Sequence, residues 1–175
     1  ECGDIGERTA DYFYPISITE VEQIADKCKS IGVDGICSIG TDLGNITVSK
    51  VANKLGLCAN SLDCVDVSTN KHLMREAFFK NGDPSPKSCQ ITDVSEIEGL
   101  ELAYPIIVKP VDRSGSRCIT KLQTPEGLED AVRSAIDVSF SKACVVEEFF
   151  VGVEYSVEFV SWRGKHHFLA LTRKF

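Results

Sequence analysis

The sequence predicts an α/β protein in two parts: a small parallel sheet flanked by helices, then a layer of strands covered by one helix. Three observations predict it. Extended apolar runs alternate with helical periodicity between Asp11 and Gly56. The stretch Ser88 to Phe150 reads as three strands, a helix and a fourth strand, and the pattern from Val153 onward alternates with a period of two.

Element by element, Asp11 to Ser17 reads as a short strand, and Thr19 as an N-cap with Glu22 three residues on in the capping-box position. A helix then runs to about Ser30 with Val21, Ile24, Ala25 and Cys28 on one face, and Gly32 closes it. Val33 to Ile39 is expected as a second strand, followed by Gly40-Thr41-Asp42 and a helix from Asn45 to Leu55 that stops at Gly56. Gly40-Thr41-Asp42 would lie at the carboxyl end of a strand, where open sheets bind ligands, but an ordinary βα turn is the commoner reason for such a segment. No G-x-G-x-x-G follows any strand, which argues against dinucleotide binding.

A helix is expected from Ser68, capped by Ser68 or Thr69, with Leu73, Ala77 and Phe78 as its buried stripe. Lys71 falls in its first turn, the wrong end of the helix dipole for a cation, so either it meets an anion or it is solvated. Gly82-Asp83-Pro84-Ser85-Pro86 is a rigid turn. The later helix is expected over Pro125 to Ile136, and Arg163-Gly164-Lys165 turns Val153–Trp162 back into His166–Arg173 as a hairpin. His166 and His167 would face opposite sides of a strand and cannot share a metal, and His72 reads as a helix-surface residue.

Two segments carry chemistry. In YPIIVKPVDRSGSRCITKL, an apolar strand from Pro105 to Val108 delivers Lys109 to a partly desolvated place, where an ammonium needs an anion, and a phosphate fits. Pro110 should stop the ladder, and Ser114-Gly115-Ser116 offers N–H groups and hydroxyls suited to covering phosphate, although a plain hairpin turn has the same composition. In ACVVEEFFVGVEYSV, an apolar strand ends in Glu147 and Glu148 and crosses over at Gly152 to Glu154. That segment suits either a nucleotide pocket or a strand with solvated glutamates at its end.

The order of these pieces resembles the ATP-grasp superfamily, nearest to its carboxylate–amine ligases and carbamoyl-phosphate-synthase-like members, and the likeness extends upstream to STNKHLMREAFFKNGDPSPKS. The resemblance implies a pre-ATP-grasp Rossmann-like parallel sheet followed by the N-terminal part of an ATP-grasp domain, incomplete. The implied divisions are 1–66 for the first domain, 67–86 for a linking helix and turn, 87–150 for the small nucleotide-covering subdomain, and 151–175 for the start of the second subdomain. It further implies ATP and Mg²⁺ as cofactors. Lys71, Lys109, Ser114, Gly115 and Ser116 would contact phosphates. Glu147, Glu148 and the backbone N–H of Phe150 would contact adenine, and Glu154 the ribose hydroxyls; some relatives carry lysine in place of Glu148.

The implied activity is activation of a carboxylate as an acylphosphate for attack by an amine or other nucleophile. The alternatives are a bicarbonate-activating enzyme of the carbamoyl-phosphate-synthase or biotin-carboxylase type, and a non-catalytic nucleotide-binding module. The family's metal ligands and catalytic residues are expected beyond residue 175, so none is assigned. The absence of a methionine at Glu1, and an alternating pattern still running at Phe175, lead to the expectation of a fragment lacking one strand–helix unit before and a larger half after. A homodimer is a further partner state the resemblance admits.

Composition adds boundaries. A net charge of −7 without a basic block argues against nucleic acid or a membrane surface as partner. Eight cysteines without C-x-x-C spacing read as free thiols in a reducing, cytoplasmic compartment rather than a zinc site.

Overall fold

A computed structural model describes residues 5–39 and 41–174. Glu1, Gly40 and Phe175, on which some of the expectations above rest, lie outside the described residues.

The first part is helical. A short helix α1 (Ile5–Thr9) precedes α2 (Val21–Ile31) and α3 (Asp42–Leu55), and α2 and α3 pack through Ala25, Cys28 and Val51 with Val21, Ile24 and Leu55 around them. The apolar face expected for α2 is therefore the buried one. Gly32 and Gly56 close the two helices in the left-handed region, at φ 67° and 69°, where their N–H groups cap carbonyls of the last turn. Thr19 is not the cap of α2. Its hydroxyl lies 2.9 Å from Ser17 Oγ, and Glu20 occupies the N-cap position without a side-chain bond to the helix.

The two strands expected at 11–17 and 33–39 form no ladder, so the expected parallel sheet is absent among the described residues. An apolar run specifies an extended chain facing a core. A strand also needs a neighbour for its N–H and C=O groups. Here Val33 and Ile36 pack on the α2/α3 cluster, and Ile18 C=O accepts from the buried Thr47 hydroxyl of α3. The first turn of α3 sits so close to residue 38 that a Cβ on Gly44 would meet the Ser38 side chain, with Thr41 Cγ2 at 2.8 Å.

The second part holds a four-stranded sheet in the order β1 (Ser88–Ile91), β4 (Cys144–Glu148), β2 (Ile106–Pro110), β3 (Thr120–Leu122), with every pair antiparallel. Helix α6 (Leu128–Val138) covers one face with Leu128, Ala131, Val132 and Ala135, which meet Ile91, Ile106, Val108, Cys144 and Val146. Each fully buried Val or Ile in such a core contributes roughly 1.5–3 kcal/mol of transfer free energy. Cys144 lies at the centre of this layer, where burial pushes its thiol up to about 12. Pro110 does not stop the ladder. It pairs with Cys144, and the next N–H, of Val111, donates to Ala143 C=O at 3.3 Å, because proline lacks a donor but the strand's remaining groups still match.

Between the two parts lie α4 (Leu62–Thr69), which periodicity did not isolate, and α5 (Lys71–Asn81). The cap of α5 is Asn70, neither Ser68 nor Thr69: its side chain accepts from the N–H groups of His72 and Leu73 at 2.9 and 3.2 Å, while the hydroxyls of Ser68 and Thr69 turn back onto Val65 C=O. Replacing Asn70 by alanine should cost about 1 kcal/mol in denaturant unfolding. It should also loosen Lys71, which follows the cap directly.

The chain ends in a hairpin of β5 (Tyr155–Trp162) and β6 (Lys165–Arg173), turning at Arg163 and Gly164 with φ 50° and 75°, the geometry of a type I′ turn. Phe159 and Phe168 pair edge to face across it at 5.6 Å. Among the described residues, no helix is long and apolar enough to cross a membrane.

Candidate nucleotide-binding site

The face of the sheet opposite α6 carries Ile107 and Lys109 of β2, Val145 and Glu147 of β4, and Lys121 of β3, as the alternation and the register require. Lys109 and Glu147 are diagonal neighbours across the β2/β4 pair, and the ammonium donates directly to Glu147 Oε1. Arg75 of α5 reaches the same carboxylate with a fork, Nε to Oε2 at 2.9 Å and Nη2 to Oε1 at 3.2 Å. Glu147 is thus buried and ionised. Burial pushes its carboxyl up, but the hydrogen bonds from Arg75 and Lys109 outweigh that and hold it below the usual range.

The anion expected beside Lys109 is therefore present in the protein itself, and Glu147 has both oxygens engaged by cations. An adenine amino group would have to compete for them.

Lys71 completes the cluster. Its backbone N–H donates to Val111 C=O at 2.9 Å and its Nζ to Arg113 C=O at 2.7 Å, so the start of α5 is docked on the end of β2. Burial lowers the pKa of Lys71, and the charge of Lys109 lowers it further, against the opposing pull of Asp112, Asp42 and Glu147. Arg75 and Lys109 thus share the carboxylate of Glu147, while Asp112, Asp42 and Glu147 all act on Lys71.

The loop after β2 is fixed at its root. Both oxygens of Asp112 accept from the loop between α6 and β4: Ser139 Oγ at 2.9 Å, Phe140 N–H at 3.1 Å, and Ser141 N–H and Oγ at 2.8 and 2.7 Å. Burial pushes this carboxyl up, yet those bonds hold it below the ordinary value. Arg113 donates to Val138 C=O and lies 3.5 Å over the Phe140 ring. Ser114, Gly115 and Ser116 beyond this clamp are exposed, with Gly115 and Ser116 at φ 73° and 56°.

The other expected contacts are spread out. Glu148 is on the α6 face, where its Oε1 accepts from Ala103 N–H at 3.0 Å; Phe150 is exposed; and Glu154 pairs with Lys174 at 3.0 Å at the open end of the hairpin. Lys121 stacks 3.6 Å over the Phe149 ring. Arg75, Asp112 and Arg113 did not emerge from the sequence. Only Arg75 had a usable signal, its place one helical turn after Lys71 on the same face.

His72 is only partly exposed and lines a cavity of about 730 Å³ beside Arg75 and Ser88. It is thus more enclosed than a helix-surface residue. Among the described residues no group of three or more His, Cys, Asp or Glu is placed to hold a metal. The two carboxylates nearest the lysines, Glu147 and Asp112, are already saturated by protein donors. The described residues therefore do not form a Mg²⁺ site.

An ATP-grasp domain family matches residues 68–175, more than half of the chain. The chain belongs to the ATP-grasp family. It is 28% identical over 161 residues to the carbamoyl phosphate synthase large chain of Caldanaerobacter subterraneus subsp. tengcongensis, covering 90% of this chain and 15% of that protein. The chain thus spans only a small part of its curated relatives.

In fold it is similar to an L-amino acid ligase from Bacillus licheniformis, with a TM-score of 0.75 at 23% identity over 88% of this chain and 36% of the other. It is also similar to the biotin carboxylase domain of the Hydrogenobacter thermophilus 2-oxoglutarate carboxylase, crystallised as a dimer with MgADP, with a TM-score of 0.68 at 19% identity over 84% and 35% of the two chains. In this ATP-grasp chain the α/β class is as the sequence predicts, with the four-stranded sheet antiparallel.

Proposed function

We propose that this chain is the ATP-binding portion of an ATP-dependent ligase that activates a carboxylate as an acylphosphate for attack by an amine or another nucleophile. The observation that carries the proposal is the cluster of Lys71, Arg75 and Lys109 beside Glu147, at the root of the Ser114–Ser116 loop. A polyphosphate would draw Lys109 from Glu147 and Lys71 from the Arg113 carbonyl. During phosphoryl transfer Lys109 and Lys71 offset charge on the transferred group, and the loop N–H groups orient it.

Glu148, the Phe150 N–H and Glu154 remain the proposed contacts to the base and ribose, with Glu154 leaving Lys174 to take the diol. The division into 1–66, 67–86, 87–150 and 151–175 is proposed on the same reading. Magnesium, a homodimer and a reducing cytoplasmic setting for the thiols belong to that proposal also.

The match to carbamoyl phosphate synthase large chains over 90% of this chain favours a second reading, in which bicarbonate is the carboxylate that is phosphorylated. One experiment separates them. The full-length protein is incubated with ATP and either amino-acid pairs or bicarbonate with ammonia, and ADP release is followed. Release that requires an organic carboxylate supports the first reading, release that requires bicarbonate supports the second, and release with neither substrate set refutes both.

A further inference from the structure

We propose that Arg75 is a positioning residue for phosphate binding: its fork on Glu147 keeps that carboxylate neutralised, so that Lys109 can turn from Glu147 to an incoming phosphate. This rests on the ATP-binding reading above. Glu147 is 4% exposed, and the Arg75 and Lys109 side chains that meet it are 22% and 15% exposed. If Lys109 were the sole partner of such a carboxylate, the two would form a closed pair. A phosphate could recruit the lysine only by leaving a buried charge uncompensated, the costliest way to open an ion pair.

With Arg75 holding Oε1 at 3.2 Å and Oε2 at 2.9 Å, Glu147 stays paired whichever way Lys109 points. The charge of Lys71 opposes that of Lys109 and favours its leaving toward a shared anion.

The surroundings of Arg75 support a fixed role. Its guanidinium lies 6.0 Å from the Phe78 ring centroid, and the neighbouring acid on the helix, Glu76, is 3.5 Å from His72 Nε2. Lys71 and Arg75 are one turn apart on α5, so the docking of Lys71 on Val111 and Arg113 also sets the register of Arg75 against β4. A lysine at 75 would keep the charge but lose the two-point grip.

The test is calorimetric titration of ATP and of adenosine into the full-length protein. Arg75→Met should weaken ATP about tenfold while leaving adenosine within about twofold, because Glu147 then closes on Lys109. Arg75→Lys should lose about threefold, an intermediate rescue. The double variant Arg75→Met with Glu147→Gln should bind ATP better than Arg75→Met alone, since removing the carboxylate releases Lys109.

Equal losses for ATP and adenosine, no loss at all, or a double variant weaker than the single one would each overturn the proposal. If Arg75→Met does not fold, the Arg75→Lys loss and the double variant decide it. Failure of the unaltered protein to bind ATP overturns the nucleotide reading itself, and the role of Arg75 with it; ATP binding that is indifferent to residue 75 overturns only the latter.

Discussion

Replacing Glu147 by leucine should lower the folding free energy by about 3–5 kcal/mol, because it leaves the partly buried Arg75 and Lys109 without the carboxylate they share. For a chain of this size that is a fall in Tm of roughly 6–20 °C. ATP at about 100 times its Kd should restore about 2.7 kcal/mol, since the phosphates take over the missing negative charge.

The pH dependence has a definite sign. The folded pKa of Glu147 is depressed, so its contribution is complete above the ordinary carboxylate value of about 4.3 and is lost as pH falls through the lower folded value. The stability of the unaltered protein should therefore fall as pH drops from about 4.3 through the lower folded value. The leucine variant should lack this part of the acid limb. A variant as stable as the parent at pH 7, with an unchanged acid limb, would show that Glu147 is not the counter-ion that organises the cluster.

Replacing Lys109 by alanine should weaken ATP roughly 100-fold, about 2.7 kcal/mol, and leave adenosine nearly unaffected. Glu147 keeps its Arg75 fork in this variant, so the sheet loses little and the effect falls on the phosphates. Titration of both ligands into the same preparation provides the check. Equal losses would place Lys109 in the support of the base pocket, or of the fold as a whole, rather than at a phosphate.

The two variants probe opposite members of one ion pair and should differ in kind. Glu147→Leu is chiefly a stability defect that nucleotide repairs. Lys109→Ala is chiefly a binding defect in a stable protein.

Local signals in the sequence determined much of this ATP-grasp chain. The α2 and α3 helices end on glycines where a left-handed residue was needed, α6 and its strands follow the alternation of apolar residues, and Arg163-Gly164 supplies the hairpin turn. Lys109 at the end of an apolar run pointed to an anion site because burying an ammonium requires a partner, a rule that operates within a few residues.

The identity of that partner was a tertiary matter. Arg75 and Glu147 are 72 residues apart, Asp112 and Ser141 are 29 apart, and nothing in either local pattern says that α5 docks on the end of β2 or that a loop between α6 and β4 clamps the next one. The same limit explains the missing parallel sheet. Residues 11–17 and 33–39 have the pattern of strands, but a ladder depends on a second chain segment lying beside them at hydrogen-bonding distance, and no single segment encodes that. Charge type and periodicity are written along the chain, whereas which charges neutralise each other is decided only when the folded sheet brings them onto one face.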